Sequence, residues 1–140
     1  MATFHRAKDF NEHLLYGLHD FVSYTYKLAF LKNITPEQSS FDDVKDYEIK
    51  PSEDYPAGGF EIQVAVEKEI NTGTITITTN PELEFEFVEK SEPFRYIALY
   101  TPDHKHKPIV GYWDYGKEID LSNEILKMKF DSRGTILTLL

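Results

Sequence analysis

Five histidines are the first residues in this 140-residue chain to suggest chemistry: His5, His13, His19, His104 and His106. Only His104 and His106 have ligand-like spacing, because residues i and i+2 of a strand point to one side and could share a divalent metal. Lys105 and Lys107 flank them, and Asp103 is the one adjacent carboxylate. Two imidazoles among lysines fall short of the three or four ligands a zinc site needs, so HKHK reads as a solvated turn tip. His13 and His19 are six apart, which does not place them together as i, i+4 would, and they read as partly buried helix side chains.

Glu82, Glu84 and Glu86 form a second constellation. On a strand they share one face, and a glycosidase needs two carboxylates opposed across a cleft. The row reads as a solvent face that protects a sheet edge. No nucleophile elbow, zincin, phosphate-loop or dinucleotide pattern occurs, and Gly58-Gly59 precedes an alternating strand rather than a helix. The expectations are no catalytic residue, no metal and no cofactor. Tyr112, Trp113 and Tyr115 offer one further option. Alternation puts Trp113 and Tyr115 on one face, where they could stack on a sugar, although core packing is the plainer role for aromatic residues in a β domain.

The elements that must position these residues follow from periodicity. Phe10, Leu14, Leu15, Leu18 and Phe21 make an amphipathic helical stripe over residues 8–21. From Tyr24 the pattern becomes strand-like. YTYKLAFLK is broadly apolar, while residues 33–59, with three prolines and the glycine pair, read as a long loop holding one helical turn or short strand. Phe60, Ile62, Val64 and Val66 alternate with polar residues, and Asn71-Thr72-Gly73 turns that strand into TITITT. LEFEFVE, FRYIALYT, residues 109–115 and residues 125–130 continue the series. A turn at 131–134 is expected to close a hairpin with TILTLL. The expected fold is mainly β: a single β-sandwich or jelly-roll-like domain of about eight strands at 23–140, behind an N-terminal arm and one amphipathic helix at 1–22.

Composition narrows the partners. There are 24 acidic and 15 basic residues, a formal charge of −9, which repels a phosphate backbone, so nucleic acid is not expected. An acidic surface is instead steered toward a basic one. Cysteine is absent, which rules out disulfides and thiolate ligands. No apolar stretch at the start is long enough for a signal peptide or a span, so no membrane partner and synthesis in a cytoplasm are expected.

Several segments resemble a family of uncharacterised virion proteins of tailed bacteriophages: FNEHLLYGLHDF, YTYKLAFLKNITP, YPAGGF, PFRYIALYTP, PIVGYWDYGKEIDL and FDSRGTILTLL. The chain departs from the family pattern at Tyr55-Pro56-Ala57-Gly58-Gly59, where the family has a Gly-Tyr-Thr-Ala-Gly-Gly form. It also carries Glu92 where glycine commonly precedes Pro-Phe-Arg-Tyr. Both departures fall in turns. The resemblance implies a structural component of the virion, made in the host cytoplasm and present in multiple copies in a symmetric assembly. Capsid decoration (cement) is the first role it implies and a neck or tail position the second; the aromatic strand with Trp113 and Tyr115, apart from the resemblance, supplies the alternative of a carbohydrate-binding adhesion module. The implied partners are the major capsid protein or other virion subunits. The candidate docking element is the N-terminal segment with Phe4, Phe10, Leu14 and Leu18; packing of this stripe on the protein's own sheet is the plainer role, and the two can hold for different residues.

Overall fold

The structure, a computed structural model, describes residues 2–139. Its strands are β1 (Thr3–Arg6), β2 (Tyr26–Leu31), β3 (Phe60–Ile62), β4 (Ala65–Lys68), β5 (Ile75–Thr78), β6 (Glu82–Phe87), β7 (Phe94–Tyr100), β8 (Ile109–Ile119), β9 (Glu124–Lys129) and β10 (Thr135–Leu139). Two short helices, α1 (Phe10–Leu15) and α2 (Phe41–Val44), complete the set, and a 3-10 turn at Lys45–Tyr47 extends α2. The protein is mainly β, with antiparallel sheets packed as a sandwich. A five-stranded sheet runs β1-β8-β7-β2-β3, a three-stranded sheet β10-β5-β4, and β6 pairs with β9 as a ribbon.

Leu28–Leu31 of β2 and Ile97–Tyr100 of β7 are buried on both faces, as their apolar runs require, while Lys27 and Arg95 are half-buried. On one face Phe30 sits among Phe94 at 4.7 Å, Tyr55 at 5.4 Å, Phe60 at 5.5 Å, Phe85 at 5.6 Å and Phe87 at 6.0 Å. The β6–β9 ribbon supplies two of those rings. Leu83, Phe85 and Phe87 point inward while Glu82, Glu84 and Glu86 stay exposed, so period-two patterning here translates directly into burial. On the other face the segment after Asn33 covers the sheet. Phe41 stacks on Tyr100 at 4.3 Å, and Ile34 and Val44 of the same segment are buried as well. That segment is therefore a packed layer, begun by the Ser40 side chain, which accepts the Asp42 N–H and caps α2.

Four features differ from the sequence reading. Thr3–Arg6, expected as an arm, forms the edge strand β1 and pairs with β8 from Thr3↔Asp114 to Arg6↔Gly111. The alternating strand after Gly59 is split: β3 joins the large sheet and β4 the small one, and the Thr79 hydroxyl donates to the Gln63 carbonyl at the crossing. The expected terminal hairpin does not form. β9 pairs with β6 and β10 with β5, so the 131–134 turn carries the chain between sheets. The helix is six residues long, because Gly17 takes a left-handed φ of +78°. The Leu18 N–H then reaches the His13 carbonyl at 2.9 Å and the Gly17 N–H the Leu14 carbonyl at 3.2 Å, the paired bonds of a Schellman stop.

Candidate functional site

Residues 7–24 form a lobe at one end of the large sheet, and its interior is aromatic. Phe10 is fully buried, with the Arg6 guanidinium 5.5 Å over its ring and His19 at 5.2 Å. Phe21 stacks on Tyr26 of β2 at 4.7 Å, and His19 stacks on Phe21 at 5.5 Å. After the Gly17 stop, the Asp20 carboxylate accepts the N–H groups of Val22 and Ser23 and turns the chain back toward β2.

The four residues expected to dock are distributed differently. Phe10 is a correction: it is an anchor of the lobe's own core and has no surface to offer a neighbour. Phe4 is half-buried on β1, its ring 4.7 Å from Trp113. Leu14 and Leu18 are half-buried. The apolar groups the lobe presents to solvent are Leu15, Tyr16 and Val22, which are 85%, 73% and 83% exposed. The sequence carried a signal for this. Leu14 and Leu15 are adjacent, about 100° apart on a helix, so a six-residue helix that buries one turns the other away. Beside Tyr16 lies an open groove of about 480 Å³ lined by Glu12, His13, Ser40, Lys105 and His106.

His19 sits in the lobe interior at 7% exposure, its Nδ1 3.1 Å from the Tyr26 hydroxyl and its Nε2 buried without a hydrogen-bond partner. The Nδ1 of His13 is also buried and unpartnered, with the two rings 6.4 Å apart. Burial, followed by the charges of His13 and His104, pushes the His19 pKa down to about 4. At neutral pH the ring is an uncharged core aromatic.

The remaining sequence candidates resolve as follows. The rings of His104 and His106 stack at 5.2 Å, and His104 Nδ1 accepts the His106 N–H at 3.1 Å, which removes that nitrogen as a ligand. Among the described residues no group of three or more His, Asp or Glu is arranged to hold a metal, and no helix is long and apolar enough to cross a membrane. Glu82 and Glu84 lie opposite Lys129 and Lys127 in the ribbon, with Glu84 and Lys127 3.6 Å apart, so the acidic row meets cross-strand cations. Trp113 takes the plainer role of core packing, and its candidacy as a glycan contact is corrected. It is 7% exposed, with Phe4 at 4.7 Å and the edge of Phe130 at 5.9 Å, so it has no open face for a sugar. Tyr115 is half-buried against Phe94, and both residues border a shallow cleft of about 280 Å³.

One pairing of a buried tyrosine with a half-buried glutamate was not foreseen. The Tyr55 hydroxyl donates to the Glu48 carboxylate at 2.5 Å and accepts the Phe30 N–H at 3.0 Å. Burial raises the Glu48 carboxyl above its ordinary range, and the bond from Tyr55 opposes that shift. With both of its hydrogen bonds made inside the fold, the tyrosine ties the 48–55 segment to β2.

No family model matches the chain, and neither a curated protein nor a solved structure does.

Proposed function

We propose that this protein is a non-catalytic structural subunit of a tailed-phage particle, made in the host cytoplasm and docked as a decoration (cement) protein on the major capsid protein or another virion subunit. The observation that carries this reading is the build of the lobe. Its inner side chains are committed to the sheet, while Leu15, Tyr16 and Val22 are left in solvent on a short helix and turn. Exposed apolar residues within one short stretch of chain suit a protein interface better than a solvated surface. The chain's net charge of −9 adds attraction toward a basic partner face and opposes binding to packaged nucleic acid. The phage assignment itself rests on the resemblance of the segments quoted above.

Cryo-electron microscopy of purified particles tests the proposal by position and copy number. On the order of hundreds of copies over the shell are expected for decoration; roughly six or twelve copies at one vertex would move the protein to the neck or tail. Absence from purified particles would overturn the reading. The carbohydrate-binding alternative has lost its platform with the burial of Trp113.

A further inference from the structure

His19 occupies the place of a core aromatic but keeps the chemistry of a base. Its ring packs among Phe10, Phe21 and Tyr26, where an imidazolium would lose its hydration and hold two N–H donors with the Tyr26 hydroxyl as the one partner. The charged groups around it favour expulsion of a proton. His13 faces it from α1 and His104 from the 102–107 loop, and both oppose a positive charge on the ring. Arg6, at the end of β1, covers the neighbouring Phe10. Two carboxylates are near, but each is turned elsewhere: Asp20 to the Val22 and Ser23 N–H groups, Asp103 to the Thr25 N–H at 2.6 Å. No acceptor is aimed at the unpartnered Nε2.

We propose that the 7–24 lobe is an acid-released latch, in which protonation of the buried His19 ring frees the lobe while β2, β7 and β8 remain folded. The cluster is local. Phe10, His19, Phe21 and Tyr26 come from one 17-residue stretch (10–26), so the lobe can open without separating the sheet from its ribbon. Because Leu15, Tyr16 and Val22 ride on the lobe, release also dismantles the docking surface. That consequence rests on the proposed docking role, whereas the latch does not.

The sign follows from linkage. The His19 value of about 4 in the folded lobe lies below its ordinary 6.5, so the open form binds the proton more tightly. The lobe has its full stability above about pH 6.5 and loses it progressively as the pH falls toward 4.

Amide hydrogen exchange on the full chain at pH 7.5 and 4.5, corrected for intrinsic rates, tests the latch. The opening equilibrium of lobe amides is expected to rise on the order of 50-fold at the lower pH, with the amides of β7 and the first half of β8 keeping their protection. The H19F variant fills the aromatic site without a titrating group and is expected to flatten the response. The H13Q variant keeps His19 but removes one opposing charge, and is expected to reduce the fold-change. Lobe opening that changes less than about 3-fold in the native chain overturns the proposal. So does simultaneous opening of lobe and sheet, or an undiminished response in H19F. Should H19F not fold, an H13Q response identical to the native one overturns it. Particle binding at pH 7.5 by a Leu15→Ser chain reports on docking separately, and its outcome leaves the exchange result untouched.

Discussion

Tyr26 and Phe30 are four residues apart on β2 and share one face, yet the aromatic clusters around them differ in kind. Around Phe30 the rings come from β3, β6, β7 and the 48–59 segment, and the polar atom among them, the Tyr55 hydroxyl, makes two hydrogen bonds. Around Tyr26 the rings come from adjacent sequence, and the polar residue among them, His19, leaves a nitrogen unpaired. Similar ring packing thus yields one cluster that opens only with the whole sandwich and another that can open alone. Contact distance does not separate them. What does is how much chain must move to break each cluster, and whether a proton can be bound once it is broken.

The largest expected effect is at the nonlocal cluster. Phe30→Ala should cost about 3–5 kcal/mol in denaturant unfolding, because five neighbouring rings cannot all collapse into the space. A loss no greater than that of a lobe residue would break the distinction. Next, Gly59→Ala should cost about 2–4 kcal/mol. Gly59 has a φ of +98°, and an added Cβ would overlap the Leu28 carbonyl at the point where β3 enters beside β2. Phe10→Ala removes a ring as fully buried as Phe30, but the expected loss in global stability is smaller, about 1–3 kcal/mol, since the weakened lobe opens first. Exchange that rises in residues 8–24 before it rises in β7 would show this order. The smallest effect on stability is expected for Leu15→Ser with Tyr16→Ser, within about 0.5 kcal/mol of the native chain by thermal unfolding. The same double variant should lower occupancy on particles, and full occupancy would remove these residues from the interface.

Much of this was legible in the sequence where the determining interactions are local. The Glu-flanked alternation of residues 82–87 appears unchanged as the half-buried β6, and Asn71-Thr72-Gly73 does turn β4 into β5. The apolar stripe of residues 10–21 also marked the segment that packs on the sheet, although Gly17 shortened its helix. Docking residues were harder to read, because amphipathic spacing says which side chains share a face and not whether that face meets its own sheet or solvent. Phe10 and Leu15 illustrate the ambiguity: both belong to the stripe, and they lie at opposite extremes of exposure.

The sequence by itself determined the β-rich class, most strand positions and the N-terminal helix, since period two, period 3.6 and turn residues act over a few neighbours. Only the tertiary structure decided that β9 joins β6 rather than β10, that residues 3–6 become a sheet edge, and that Trp113 is covered. The same holds for His19, whose proton affinity depends on which groups surround it in space. Pairing is a choice among several compatible strand edges far apart in the chain, and burial and pKa depend on what finally lies against a residue.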